Sequence, residues 1–136
     1  MVELLKKFNG EMLHRVLYEQ DCDIDYDFVG FIETYKRLSQ VIPRHWIIVD
    51  LGCAYAPQCW YFRKHAKYIG IDHSAKYRFS VNNTEHHIQS IQEWIKYHAS
   101  AMPENTFAIA NYSLIDTTIV RESFNYCFTY YPVRRP

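Results

Sequence analysis

Apolar side chains recur along this chain in two rhythms. Phe28, Phe31, Ile32, Tyr35, Leu38 and Ile42 fall three or four apart, the stripe of an amphipathic helix that ends before Pro43. Leu5, Phe8, Met12 and Val16 predict an earlier helix of the same kind, weakened or broken by the Asn9-Gly10 pair. Between them Asp21, Asp23, Asp25 and Asp27 alternate with Cys22, Ile24 and Tyr26. A calcium loop would need Gly at its sixth position and Glu at its twelfth, where this chain has Tyr26 and Ile32, so the run reads as a solvated connector with Asp25 or Asp27 as helix N-cap.

From Trp46 the rhythm changes. Ile47, Ile48 and Val49 form the short β-branched run of a strand buried on both faces of a parallel sheet. Further strands are expected at 68–72, 86–89, 107–111 and 126–130. After the third strand, Ser90-Ile91-Gln92-Glu93 fits a capping box, with Ile91, Trp94, Ile95 and His98 following on one side of a helix. Strands alternating with helices predict an α/β fold: a trimmed Rossmann-like, doubly wound and mainly parallel sheet of order 3-2-1-4-5. Residues 1–44 are read as a helical lead-in packing on the core, and 45–136 as the sheet domain.

Composition narrows the function classes. The 136 residues hold 49% hydrophobic and 22% charged side chains, ordinary for a soluble domain, and 17% aromatics including 12 Tyr, enough for some rings to line a site. Fifteen basic and fifteen acidic residues cancel, so no overall field draws the chain to nucleic acid or anionic lipid, although a local basic patch is compatible with that balance. Cys22, Cys53, Cys59 and Cys127 lack CxxC spacing, and no export leader precedes them; they read as reduced thiols of a cytoplasmic protein. The most apolar stretch, 46–56, contains Asp50 and is far too short to span a membrane.

The chemistry concentrates after the first strand. In Asp50-Leu51-Gly52-Cys53-Ala54-Tyr55-Ala56-Pro57 an acid ends the strand and a glycine begins a turn of small residues, with Pro at an expected first helical position. Gly52 lacks the Cβ that would hold a ligand off the backbone. Asp72 ends the next strand 22 residues after Asp50, a position suited to accepting hydrogen bonds from a ribose diol.

On these residues the chain resembles the class I S-adenosylmethionine-dependent methyltransferases. Asp50, Gly52, Ala54 and Ala56 match the family's acid-x-Gly-x-Gly-x-Gly motif, and Tyr68-Ile69-Gly70-Ile71-Asp72-His73-Ser74 matches its second motif. The resemblance implies S-adenosylmethionine as cofactor, held by Asp50, Gly52, Cys53, Ala54, Tyr55, Asp72, His73, Ser90, Ile91 and Asn111. Ile91 would pack on the adenine, with Ser90 or Gln92 hydrogen-bonding to it. Asn111 and Tyr112 would face an acceptor of unknown identity in the catalytic position. After the fourth strand the chain reads Asn111-Tyr112-Ser113-Leu114, not the Asp/Asn/Ser-Pro-Pro-aromatic signature of the amino-directed DNA methyltransferases, which argues against DNA modification, and no final antiparallel hairpin is visible.

Other chemistry is weaker. His86 and His87 are adjacent on a strand and face opposite sides, so they cannot share one ion, and no metal site is expected. Cys53 and Cys59 read as small buried thiols, and Trp60, Tyr61 and Phe62 as the opening of a helix after the turn. The competing readings are a degenerate methyltransferase fold serving as a binding module or partner subunit, in a mobile-element or anti-defence setting, and plain nucleotide binding. An exposed last strand would favour a homodimer or a protein partner.

Overall fold

The computed structural model describes residues 4–7, 28–73 and 77–131. Its elements run β1 (Leu4–Lys7), α1 (Phe28–Val41), β2 (Ile47–Leu51), a short 3-10 turn (Pro57–Phe62), β3 (Lys67–Asp72), β4 (Tyr77–Ser80), β5 (Thr84–Ile88), α2 (Ile91–His98), β6 (Thr106–Asn111), α3 (Thr117–Ser123) and β7 (Cys127–Tyr130). Because β2 is covered on both faces, its alternation sorts the core into two layers. Ile48, Tyr68 and Ile109 point to the layer closed by Phe31 and Tyr35 of α1 and by Phe62. Val49, Leu51, Ile69, Ile71, Ala108 and Ala110 point to the other, closed by Trp94 and Ile95 of α2 and Val120 of α3. Each of the Val, Leu, Ile and Phe side chains among them contributes about 1.5–3 kcal/mol on leaving water.

All pairings in the main sheet are parallel. Val49 of β2 sits opposite Ile69 of β3 and Ala108 of β6, and the spatial order is β5-β3-β2-β6-β7. The order by number differs from the expected 3-2-1-4-5, because β1 and β4 pair with each other in a separate two-stranded sheet and advance the count. The five expected segments keep their relative places. The chain is thus a trimmed Rossmann-like α/β unit. Among the described residues, no helix is long and apolar enough to cross a membrane.

Local signals account for most boundaries. The stripe Phe31, Ile32, Tyr35 and Ile42 is buried as the helical spacing predicts, and the helix stops before Pro43. Ser90 caps α2 by accepting from the Glu93 amide at 3.2 Å, and Asp116 caps α3 by accepting from the Thr118 amide at 2.9 Å.

Three expectations are corrected. Leu5, read as the start of a helix, lies in β1, whose backbone is satisfied by β4; Phe8, Met12, Val16 and the acidic connector with Asp25 and Asp27 lie outside the described residues. Trp60, Tyr61 and Phe62 belong to a six-residue 3-10 turn rather than a full helix, although Pro57 does stand at its start. These bulky rings favour helix weakly, and burial of Cys59 and Phe62 keeps the segment against the sheet. The third strand begins at Thr84 rather than His86, and β4 was not expected at all.

Candidate functional site

In an open parallel sheet, ligands bind beyond the carboxyl ends of the strands where the strand order reverses. Here that point is the end of β2, flanked by β3 on one side and β6 on the other, and a cleft of about 510 Å³ opens there. Four strand ends supply its walls: Gly52, Ala54 and Tyr55 after β2, Asp72 and His73 after β3, Ser90, Ile91 and Gln92 after β5, and the run Asn111 to Leu114 after β6. Phe31 of α1 completes it.

The turn after β2 folds back on β3. The amides of Gly52 and Cys53 donate to Ile71 O at 2.8 and 3.1 Å, and the Ala54 amide donates to Asp72 Oδ2 at 2.9 Å. Gly52 has φ +90, which an L side chain adopts at a cost, and Ala54 and Ala56 are also left-handed at φ 51 and 58. Smallness at 52 nevertheless serves packing first. A Cβ there would overlap Ser113 Oγ and lie 3.2 Å from Ser113 Cβ and 3.6 Å from Ile91 Cδ1. Ser113 Oγ in turn donates to Leu51 O at 2.5 Å, tying the ends of β2 and β6.

Asp72 is mostly buried, its side chain 14% exposed, while the neighbouring His73 is 89% exposed with Nδ1 3.7 Å from Asp72 Oδ1. The position of Asp72 is fixed from below by Arg78 of β4. This wholly buried guanidinium donates to Asp72 O at 2.6 Å, His87 O at 3.0 Å and Gly70 O at 3.4 Å, joining the ends of β3 and β5.

Two expected cofactor residues do not reach the cleft. Asp50 and Cys53 are both fully buried, because the strand alternation turns Asp50 into the layer beneath α1 and the turn folds Cys53 over Gly70. Asp50 accepts hydrogen bonds from Tyr35 Oη at 2.7 Å, Gln58 Nε2 at 2.8 Å and Tyr68 Oη. Desolvation outweighs those three donors, and the carboxyl is pushed up to about 6. Gln58 Nε2 also donates to Cys53 O at 2.9 Å, so this buried network braces the turn from behind. Burial pushes the Cys53 thiol well up and the Cys59 thiol up to about 12, which leaves both unreactive.

At the opposite wall, Asn111 is 1% exposed and donates through Nδ2 to Phe31 O at 3.2 Å, while its Oδ1 has no partner. Tyr112 sits at φ 61, a strained conformation for a bulky residue, held by its amide donating to Tyr130 O at 2.7 Å. Its ring meets Phe31 at 5.5 Å and Tyr130 at 5.6 Å between centroids.

His86 and His87 do face opposite layers. His86 Nε2 bonds Phe79 O at 2.8 Å, and burial drives its pKa down to about 4, so the ring is neutral and the nitrogen donates. His87 Nε2 pairs with Glu85 at 2.9 Å. Among the described residues no three His, Cys, Asp or Glu side chains gather to hold a metal ion.

Sequence reading did not find Ser113, Phe31 or Arg78. Ser113 and Phe31 join the site across 62 and 80 residues of chain, to Leu51 and Asn111, with no local signal. Arg78 alternates with Tyr77 and Phe79 in a strand-like pattern that would have been the clue. No protein-family model, curated protein or solved structure matches this chain.

Proposed function

We propose that the cleft binds S-adenosylmethionine and that the protein is a small methyltransferase. The observation that carries this reading is the placement of Asp72 as the one carboxylate among the described residues that line the cleft, beside the Gly52 turn and across from Ile91, with no Lys or Arg among those described residues. Phosphates would find no counter-charge among those described residues. A nucleoside carrying a sulfonium is better matched, because its hydroxyls suit Asp72 and its positive charge suits that carboxylate and the faces of Phe31, Tyr55 and Tyr112. A volume of about 510 Å³ is ample for such a ligand.

When bound, the sulfonium would supply an electrophilic methyl group. The chain's own part is orientation and exclusion of water. Asp72, fixed by Arg78 below and by the Ala54 amide, would hold the ribose end. Ile91, with Ser90 and Gln92 beside it at the start of α2, would cover the base, and His73 would stand at the mouth. Asn111 Oδ1, buried without a donor, and the strained Tyr112 would position an acceptor.

A second reading, a binding module without catalysis, is favoured by Ser113, which occupies the space beside Gly52, and by the Ala54 amide, which is already engaged by Asp72. Calorimetry with S-adenosylhomocysteine, adenosine triphosphate and the Asp72→Ala variant separates these ideas. Binding of the first compound, lost in Asp72→Ala and not seen with the triphosphate, is expected. If the folded chain prefers the triphosphate, or binds neither, the adenosyl reading fails. If S-adenosylhomocysteine binds but radiolabelled methyl groups reach no protein, nucleic acid or small-molecule acceptor, the module reading holds.

A further inference from the structure

A second cavity, of about 430 Å³, opens at the amino-terminal end of the sheet, remote from the cleft, between the last turn of α1 and the segment leading into β3. Arg44, Arg63 and Lys64 line it, with no Asp or Glu among the described residues that do so. All three cations are exposed, and among the described residues none pairs with a carboxylate. Arg63 stacks on Trp60 with its guanidinium carbon 3.7 Å from the ring centroid, and donates to Trp60 O at 3.0 Å. Glu33, whose charge reaches Tyr61 in the same wall, is already engaged by Arg37 at 3.5 Å.

Cations commonly gather at a helix carboxyl end, and α1 ends here. That end carries only about half a negative charge, far less than the three cations beside it, and so leaves a positive field. Buried beneath them is His65, with Nε2 at 2.9 Å from Ile42 O and Nδ1 without a partner. Burial and, to a smaller degree, Arg44 hold its pKa below the ordinary value.

We infer that this cavity is an anion site that takes a phosphate group, held by Arg44, Arg63 and Lys64 with the Tyr61 hydroxyl at its edge. The site is independent of the cleft and of the ligand proposed for it. The phosphate belongs either to a free ion or to a nucleic-acid strand, for which the exposed part of the partly buried Trp60 ring beside Arg63 offers a stacking surface. An anion beside Arg44 offsets the charge that disfavours the imidazolium, so binding raises the His65 pKa and takes up protons.

The test is a titration of isotope-labelled full-length protein, followed by nuclear magnetic resonance at constant ionic strength. Sodium phosphate is used in one arm and a 5′-phosphorylated single-stranded oligonucleotide in the other. Expected are shifts centred on Arg44, Arg63, Lys64 and the His65 ring, an upward move of the His65 midpoint, and binding weakened about tenfold or more in Arg44→Ala/Lys64→Ala. Both positions are exposed, and circular dichroism verifies that the variant folds. An oligonucleotide that binds about tenfold tighter than phosphate, with quenching of Trp60 and, in a separate series of salt concentrations, a log–log slope of about −2, identifies the strand as the source. Equal affinities identify the free ion. No shifts in either arm at about 20 mM phosphate, where even a millimolar site would be filled, overturn the inference. So do shifts that the double variant leaves unchanged.

Discussion

Ser113 stands where a side chain on residue 52 would have to be: its Oγ donates to Leu51 O at 2.5 Å and fills the space beside the Cα of Gly52. Gly52→Ala therefore meets two obstacles, the overlap with Ser113 and the backbone at φ +90. We expect a loss of at least about 2 kcal/mol in denaturant unfolding, only part of it recovered in Gly52→Ala/Ser113→Gly, since the backbone cost of about 1 kcal/mol or more persists. Full recovery in the double variant would show the φ angle to be irrelevant.

Asp50 makes stability depend on pH in the direction opposite to most carboxylates. Burial raises its folded pKa from 3.8 to about 6, so the folded chain binds a proton more readily than the unfolded one. The resulting stabilisation is fully present below about pH 4 and is lost as pH rises through about 6, amounting to roughly 3 kcal/mol for a shift of about two units. Glu85, lowered chiefly by its hydrogen bond from His87, acts with the other sign, its contribution present at neutral pH and lost in acid. Unfolding curves of wild type and Asp50→Asn between pH 4 and 7.5 should converge in relative stability toward low pH. Parallel curves would refute the assignment.

The thiols should separate by burial. Cys53 and Cys59 are buried with raised pKa values, whereas Cys127 is partly exposed. In a Cys22→Ser background, a disulfide reagent at pH 8 should modify Cys127 first and reach Cys53 and Cys59 only at the rate of opening or unfolding. Mass mapping that finds Cys53 modified first would contradict the burial of the turn.

Ser90 serves both the helix and the cleft. Ser90→Ala removes the hydroxyl that accepts from the Glu93 amide and should cost about 1 kcal/mol in thermal or denaturant unfolding. Ser90→Asp, which keeps a capping oxygen, should restore stability while adding a negative charge at the cleft wall. Equal loss in both variants would argue that the cap contributes nothing.

What could be read from the residues alone was whatever depends on neighbours in the chain. The apolar stripe of α1, the β-branched run of β2, the Ser90 cap and the positions of Gly52 and Asp72 at consecutive strand ends all arise from local spacing and strand alternation, and the five expected strand segments kept their relative order. Alternation also predicts that Asp50 and Gly52 share a strand face, but not what covers that face. Tertiary packing put α1 over it, burying Asp50 under Tyr35 and Tyr68, folded Cys53 inward, and brought Ser113 and Phe31 to the cleft from distant segments. The same packing drew Arg44, Arg63 and Lys64 around one cavity, although the chain's charges sum to zero. Periodicity and caps act over a few residues, whereas solvent access and partners for a buried charge depend on which segments fold against each other.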